Sequence, residues 1–134
     1  MAEHPNVPRI RAAYEAFAAL DLDKALADLA PDAVFHINGS GPLSGDHTGV
    51  EAISAALIGT YELTGGTQKL DVQGIFADDH HGVVVVHETA SRPDGATLDV
   101  DEVHLLAVDA QGRITDFWDV PADPVAHDRF FDGQ

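Results

Sequence analysis

The hydrophobic pattern near the start of the chain is that of one helix. Ile10, Tyr14 and Phe17 recur at intervals of three or four positions, which places their side chains on a single helical face. Asn6 is the predicted N-cap, and Pro8 falls in the first turn, where the missing amide proton costs nothing. The pattern therefore predicts an amphipathic helix with aromatic residues on its buried side.

Two further helices and a short strand are expected in the next segment. Asp21 or Asp23 starts a short second helix, and residues 33–37 form a strand. A glycine-rich loop follows this strand. Thr48 and Glu51 have the spacing of a capping box, which predicts a third helix that ends at a pair of glycines.

From residue 68 onwards apolar and polar positions alternate, which is typical of β-strands. The predicted strands cover residues 68–77, 82–91, 97–108 and 113–120. Turn segments rich in Gly, Asp and Pro separate them, so they form an antiparallel meander. A last short helix begins at Asp123. Because helices come first and strands later, we expect an α+β fold with the helices on one face of a curled sheet.

Composition narrows the class of protein. The 134 residues of the chain, which we expect to form one domain over residues 1–134, include seven basic and 23 acidic residues, a formal net charge of −16. Such an acidic surface repels phosphate groups, so neither nucleic acid nor an anionic membrane is an expected partner. The chain has no cysteine, which excludes disulfides and favours a cytoplasmic protein. Its longest aliphatic run, Val83–Val86, is far too short to span a membrane.

The alternation also assigns polar residues to the two faces of the strand over residues 97–108. Glu102 and His104 share one face with several Leu and Val residues, whereas Asp99 and Asp101 point to the other. We expect the two aspartates to face solvent or a partner. Glu102 is expected at the solvent-exposed mouth of the fold.

The last predicted strand carries an aspartate on the same side as His104. Asp119 shares a face with Phe117, while Ile114 and Trp118 are assigned to the opposite face. Antiparallel pairing of neighbouring strands then brings Asp119 and His104 close enough for a direct or water-bridged contact.

The pair has the chemistry of a proton-transfer site. Burial raises the pKa of an aspartate such as Asp119, and a nearby imidazolium such as that of His104 lowers it, so the pair can be poised for general acid/base catalysis. The alternative is a polar pair that only lines a pocket. His36 and His87 lie on strands whose register stays open, and each is expected to be structural or exposed.

Three stretches of the chain carry a resemblance to a known family. They are RAAYEAFAALDLDKALADLAPDAVFHI, GPLSGDHTGVEAI and LDVDEVHLLAVDAQGRITDFWDV. In order and spacing they resemble the SnoaL-like and ketosteroid-isomerase-like branch of the NTF2-like superfamily. The resemblance implies an α+β cone, in which a curved antiparallel sheet and three helices on its concave face enclose a pocket. That family includes isomerases, polyketide cyclases, epoxide hydrolases and non-catalytic binders, so it does not fix the reaction.

The resemblance also implies roles for individual residues. His104 falls where isomerase relatives place an acid that donates into the oxyanion hole, and Tyr14 lies near their other donor. No carboxylate stands at Ile37, where the isomerase base would fall, which argues against steroid isomerisation. SnoaL-type cyclases are similar in having an aspartate on the last strand and a histidine on the strand before. The predicted catalytic residues are therefore Asp119, His104 and Tyr14.

We predict an acid/base enzyme of the polyketide cyclase or isomerase type. It would act on a small apolar carbonyl compound without a cofactor, and the non-catalytic binder of such a compound is the alternative. No metal site is predicted, since the His80–His81 turn lacks a second set of ligands. The pocket is expected to be enclosed, with a volume of roughly a few hundred Å³. Its predicted substrate-binding residues are Phe17, Phe35, Leu57, Tyr61, Leu106 and Phe117.

The convex face of the sheet is predicted to be apolar as well. Val103, Leu105, Trp118 and Val120 all fall on it. A sheet face of this kind is rarely left in water, and the helices already cover the other side. The family resemblance also implies back-to-back pairing of sheets. We therefore expect a homodimer through the convex face, and a purely structural dimerisation module is a third functional class.

Overall fold

The fold consists of one curved sheet of six strands and four helices. A computed structural model of the chain describes residues 3–132. The elements follow in the order α1 (Asn6–Ala18), α2 (Leu22–Ala25), β1 (Leu29–Ile37), β2 (Gly45–Thr48), α3 (Val50–Leu63), β3 (Lys69–Ala77), β4 (His81–Ser91), β5 (Thr97–Val108), β6 (Ile114–Pro121) and α4 (Pro124–Asp132). Within the described residues, no helix combines the length and apolar character that crossing a bilayer requires.

The strand order confirms the predicted α+β architecture. The sheet runs β2-β1-β6-β5-β4-β3, and β3 to β6 form the expected antiparallel meander. β1 pairs with β6 in parallel and with β2 antiparallel, so the sheet is mixed. Helix α1 packs on β3 and β4, α3 packs on β1 and β2, and α4 packs on β5 and β6.

Several predicted helix starts differ from the structure. Asn6 lies inside α1, and Pro5 is the N-cap. The side-chain amide of Asn6 donates to the carbonyl of Asp78 and caps no helix. The predicted capping box before α3 is also wrong, because Gly49 is the N-cap and Thr48 ends β2. Gly49 has a φ of 89°, a conformation that glycine adopts without a steric penalty.

Two other helix starts agree with the sequence pattern. Asp21 caps α2, since its carboxylate accepts a hydrogen bond from the Lys24 amide. Asp123 does the same for the Ala126 amide at the start of α4. In both cases a short acidic side chain satisfies an amide that the helix itself leaves unpaired.

The structure has two strands, β1 and β2, where the sequence predicts one strand over residues 33–37. β1 begins at Leu29, and the predicted glycine-rich loop contains β2. β2 has mostly exposed side chains and lies at the edge of the sheet, so no alternating apolar pattern marks it. Its contribution is to pair with β1 through the backbone.

The two faces of β5 are as the alternation predicts. The inner side chains are buried, namely Leu98, Val100, Glu102, His104, Leu106 and Val108. Asp99 and Asp101, on the outer face, are exposed. Val84 and Val86 of β4 continue the inner layer, where both are fully buried. The concave side of the sheet is therefore the core of the fold.

One position of β6 departs from the predicted faces. The pairing between β5 and β6 shifts between Ala107 and Val108, which leaves Thr115 as an extra residue in β6. Such a β-bulge turns the preceding side chain to the opposite face. Ile114 therefore packs into the core and does not share the outer face with Trp118.

Candidate functional site

An apolar cavity lies between α1, α3 and the inner face of the sheet. Its volume is about 100 Å³. Five of the six predicted substrate-binding residues line it, together with Tyr14 and His104: they are Phe17, Phe35, Leu57, Leu106 and Phe117. Seven of the 14 described residues that line this cavity are thus ones that the sequence pattern turned towards a pocket, and their role in binding a substrate stays a prediction.

A second cavity adjoins the first. It has a volume of about 270 Å³ and contains the remaining predicted residue, Tyr61, in its wall. Tyr14, Phe17 and Leu70 line both cavities. The predicted pocket residues therefore line two adjoining spaces, which share these three residues in their walls.

Tyr14 and His104 are the two polar side chains in the described wall of the first cavity. The Tyr14 hydroxyl lies 2.6 Å from His104 Nδ1, and His104 Nε2 lies 2.5 Å from Glu102 Oε1. An ionised carboxylate only accepts hydrogen bonds, so His104 Nε2 carries the proton. In the neutral imidazole, Nδ1 then accepts from the Tyr14 hydroxyl, and the lone pairs of the Tyr14 oxygen stay available to a ligand.

Local structure explains why these three residues meet. Glu102 and His104 are two positions apart on β5 and therefore point to the same face. Tyr14 reaches them from α1, one turn after Ile10, which is buried in the core. The His104 ring is also held between two aromatic rings, with centroids 5.7 Å from Tyr14 and 4.8 Å from Phe117. The orientation of the imidazole is fixed by packing as well as by hydrogen bonds.

Burial and charge shift the pKa values of Tyr14 and Glu102 in opposite directions. Burial raises the pKa of Tyr14 well above its usual range, and the charge of Glu102 adds to the rise. Burial alone would raise the pKa of Glu102 too, but its contacts with His104 and His127 outweigh this effect and lower it to about 2. Tyr14 therefore stays protonated while Glu102 is ionised.

A second group of buried polar side chains lies behind His104, on the side away from the cavity. We call Glu88, Glu102 and His127 the glutamate–histidine cluster. His127 Nε2 lies 3.4 Å from Glu88 Oε1 and 3.4 Å from Glu102 Oε2. Gln68 donates to the other oxygen of Glu88 at 2.6 Å. Burial lowers the pKa of His127, but the two carboxylates outweigh it and raise this pKa to about 10.

Asp119 lies beside His104 but binds other groups. The two residues are direct cross-strand partners, as the sequence predicted. Asp119 Oδ1, however, accepts from the Asn38 amide at 2.7 Å, and its Oδ2 lies 3.8 Å from His127 Nε2. The Asp119 side chain is only 8% exposed, and burial raises its pKa although the hydrogen bond from Asn38 opposes the rise. It is not among the residues that line either cavity.

Sequence reasoning missed two members of the glutamate–histidine cluster and misplaced the third. Glu102 was expected at the exposed mouth, but it is buried. Glu88 lies on β4 in the alternating row of buried residues that contains Val86, so the alternation was the available signal. His127 is three positions before Phe130, the other buried residue of α4. This spacing marks the packed side of α4 but not what it packs against.

His36 and His87 both lie on the outer face, each between two aspartates. His36 contacts Asp46 at 2.8 Å and Asp116 at 3.0 Å. His87 contacts Asp99 at 2.6 Å and Asp101 at 2.7 Å. We call these two groups the outer-face triplets. Both histidines are partly exposed and line neither cavity, in keeping with the expectation that each is structural or exposed.

Comparison with known proteins shows the family. The SnoaL-like domain family matches residues 10–117. An uncharacterised protein of Mycobacterium tuberculosis is 29% identical over 131 residues, which cover 98% of this chain and 99% of the relative.

Solved structures share the fold over nearly the whole chain. Bal32a, from a soil-derived mobile gene cassette, superimposes with a TM-score of 0.87 at 30% identity, covering 94% of this chain and 95% of its own. TerC, co-crystallised with polyporic acid, has a TM-score of 0.83 at 24% identity, covering 96% and 98%. An NTF2-like protein from Burkholderia pseudomallei has a TM-score of 0.83 at 23% identity, covering 94% and 96%. The chain belongs to the SnoaL-like domain family and has the NTF2-like fold.

Proposed function

We propose that the chain binds a small, largely apolar carbonyl compound in the cavity and transfers a proton on it. Tyr14, His104 and Glu102 are the acid/base groups, and no organic cofactor takes part. The observation that carries this proposal is their continuous hydrogen-bonded series, which begins at the wall of an otherwise apolar cavity. Apolar walls suit the body of such a compound, and the Tyr14 oxygen is placed to meet its polar, reacting part.

The proton moves through Tyr14 to His104. Tyr14 does not ionise by itself, because burial and the charge of Glu102 raise its pKa. As its own proton passes to His104 Nδ1, the Tyr14 oxygen takes a proton from the carbon next to the carbonyl group of the ligand. The electron pair of that C–H bond moves onto the carbonyl oxygen. The imidazolium that forms is stabilised by Glu102, and general acid/base steps of this type contribute roughly 10²–10⁴-fold in rate.

Return of the proton completes one of two reactions. Delivery to a different carbon gives an isomer of the ligand. Attack of the carbanion on a second carbonyl group within the same molecule closes a ring, as in a cyclase. Both outcomes need the same acid/base groups, so the residues do not distinguish them.

We propose that Asp119, which the sequence suggests as the base, acts on the proton transfer through neighbouring groups, and we expect a smaller effect from it than from Tyr14. Its carboxylate is engaged by the Asn38 amide and lies 3.8 Å from His127. From that position it reaches the cavity only through neighbouring groups. We therefore expect Asp119→Asn to change the rate less than Tyr14→Phe does.

The alternative is a binder without turnover. The first cavity is small, about 100 Å³, and a recognition role would also use the lone pairs of the Tyr14 oxygen. TerC, which shares the fold, was co-crystallised with polyporic acid, which supports a small organic ligand for either function. Binding alone does not require the contact between His104 and Glu102, which favours the acid/base proposal.

Exchange of carbon-bound hydrogen with solvent tests the proposal without knowledge of the natural ligand. We would incubate 2-tetralone and related small ketones with the protein in D₂O and follow deuterium uptake next to the carbonyl group by NMR. Tyr14→Phe should reduce the catalysed uptake by roughly 10²-fold or more while the ketone still binds. Tyr61→Phe is the matched control, since Tyr61 lines only the adjoining cavity. Unchanged uptake in Tyr14→Phe contradicts the proposal, and tight binding without uptake in the natural protein favours the binder.

We also propose that two copies of the chain pair through the outer face of the sheet. Phe76, Val83, Leu105 and Trp118 are successive cross-strand neighbours on that face. Phe76 is 64% exposed and nearby Val120 is 53% exposed, a large apolar surface for a single copy to leave in water. Sedimentation velocity should give a dimer at micromolar concentration and a monomer for Leu105→Glu. A monomeric natural protein contradicts this pairing.

The cytoplasmic location expected from the absence of cysteine stays a prediction. Fractionation of cells that express the full chain would test it.

A further inference from the structure

The glutamate–histidine cluster is the feature of the inner face that the proposed acid/base chemistry leaves unexplained. One metal-ligating atom from each of Glu88, Glu102 and His127 lies within 4.8 Å of the other two. All three side chains are no more than 6% exposed. Neither Glu88 Oε1 nor Glu102 Oε2 accepts a hydrogen bond. We propose that these three residues bind one divalent transition-metal ion, with Zn²⁺ as the best fit.

The distances fit an ion better than they fit hydrogen bonds. His127 Nε2 is 3.4 Å from Glu88 Oε1 and 3.4 Å from Glu102 Oε2. A charge-assisted hydrogen bond between an imidazolium and a carboxylate is shorter, about 2.7–2.9 Å. Donors bound at about 2.0–2.2 Å in tetrahedral geometry are separated by roughly 3.4 Å. Two of the three donor separations therefore match a bound ion, and the ligand atoms of the two glutamates lie within 4.8 Å of each other, so binding would draw these two carboxylates together around the ion.

The balance of charge also calls for a cation. Asp119 adds a third buried carboxylate beside Glu88 and Glu102, and its Oδ2 is 3.8 Å from His127 Nε2. In the described part of the chain, the ion pairs formed by Arg side chains involve none of these carboxylates. The imidazolium of His127 gives these three carboxylates a single counter-charge, and buried negative charge in excess of its counter-charge is strongly unfavourable. A divalent ion in place of the His127 proton adds the missing positive charge, and Asp119 is close enough to complete its surroundings directly or through water.

The donor set indicates which metal fits. One imidazole and two carboxylates suit Zn²⁺ and, less tightly, Mn²⁺ or Fe²⁺. Ca²⁺ and Mg²⁺ prefer six or more oxygen ligands, whereas this cluster offers one imidazole nitrogen and two buried carboxylates. We therefore expect a clear preference for Zn²⁺ and for Co²⁺, which adopts the same geometry.

Metal binding here does not depend on the chemistry in the cavity. The cluster lies behind His104, and its members Glu88 and His127 line neither cavity. Glu102 belongs to both groups, with Oε1 at His104 and Oε2 at His127. An ion on Oε2 would hold the Glu102 carboxylate in place, so its effect on the cavity would be to position His104.

Zinc binding to the full chain tests this inference. Because the site is buried, the protein should be unfolded in chelator, refolded with or without Zn²⁺, and then dialysed. We expect one Zn²⁺ per chain by elemental analysis and a higher melting temperature in the zinc-loaded sample. Refolding with Co²⁺ should give the visible absorption bands of tetrahedral coordination, a readout that does not depend on stability.

Matched variants distinguish the cluster from the exposed histidines. Glu88→Gln and His127→Gln should weaken Zn²⁺ binding by more than the roughly 10–100-fold that changes around a metal's ligands cause. Circular dichroism checks that each variant folds. His36→Gln and His87→Gln, in the outer-face triplets, should still bind one ion. No stoichiometric metal after refolding overturns the proposal. Retention in Glu88→Gln with loss in an outer-face variant also overturns it, since that pattern means an adventitious ion only, bound at the exposed face.

Discussion

The two faces of the sheet use the same residue types in opposite surroundings. On the outer face, each histidine of the triplets lies 2.6–3.0 Å from two aspartates, and water reaches all of them. On the inner face, His127 is 3.4 Å from two glutamates in a region closed to solvent. The exposed groups form close ion pairs, whereas the buried ones leave two carboxylate oxygens without a hydrogen bond.

Exposure to solvent explains why the exposed triplets and the buried cluster differ in energy. Exposed ion pairs gain little, because water and salt screen the attraction. Buried charges lose their hydration, and only good geometry or an extra ligand compensates for it. Unsatisfied buried groups are therefore informative about function, while satisfied exposed ones are expected on any acidic surface. Glu102 links the cavity to the cluster, with Oε1 at His104 and Oε2 facing His127.

The largest expected effect on stability comes from removing Glu102. Glu102→Ala removes the carboxylate that accepts from His104 Nε2 and lies 3.4 Å from His127 Nε2, and we expect a loss of about 3–5 kcal/mol in the free energy of unfolding. Urea denaturation measures it. Asp101→Asn, one position away on the outer face, is the control and should stay near the error of the measurement. Similar losses in both variants would contradict the difference between the faces.

A smaller difference in the free energy of unfolding is expected between the alanine variants of two adjacent leucines of β5. Leu106 is 3% exposed and lines the cavity, so Leu106→Ala should cost about 2–5 kcal/mol in the free energy of unfolding. Leu105 is half-buried on the outer face. Leu105→Ala should cost less in the monomer.

The same leucine pair sharpens the dimer proposal. If copies pair through the outer face, the cost of Leu105→Ala should grow with protein concentration, because dissociation then accompanies unfolding. The cost of Leu106→Ala should stay independent of concentration. A Leu105→Ala cost that does not change over a hundredfold range of concentration would count against the dimer.

The pH dependence of the outer-face triplets should be small and have a definite sign. A hydrogen bond to Asp116, followed by Asp46, raises the pKa of His36, and one to Asp101 has the same effect on His87. A raised pKa in the folded state means that this stabilisation is fully present below the unfolded value of about 6.5 and is lost as pH rises through the folded value.

Urea midpoints measured between pH 5 and pH 9 would reveal this contribution. The natural protein should lose more stability on going to high pH than the double variant His36→Gln, His87→Gln does. Identical profiles for the two proteins would mean that the exposed histidines contribute nothing through their protonation.

Much of the fold could be predicted from the sequence because the patterns that indicate helices and strands are local. Alternation on β5 placed Glu102 and His104 on the inner face, and helical spacing did the same for Tyr14. The bulge at Thr115 could not be predicted, since an extra residue in a strand is recognised only from its pairing with the neighbouring strand. The N-cap at Gly49 was missed because Thr48 offered a more familiar capping pattern.

Only about half of the site could be predicted from the sequence, because the rest depends on packing between distant segments of the chain. His104 and Asp119 were paired correctly across β5 and β6. Glu88 approaches Glu102 diagonally across β4 and β5, and His127 arrives from a helix that follows β6 and packs back on it. No local pattern states that α4 packs there. Without it, Glu102 was expected in water and the cluster could not be assembled.

Solvent deuterium uptake by 2-tetralone, compared among four proteins, tests the central claim that Tyr14 and His104 act as one acid/base unit. They are the natural protein, Tyr14→Phe, His104→Gln and the double variant. Each single change should reduce the catalysed uptake by roughly 10²-fold or more, and the double change should cost little beyond either one. Uptake that survives in Tyr14→Phe, or losses that simply multiply in the double variant, would contradict the claim.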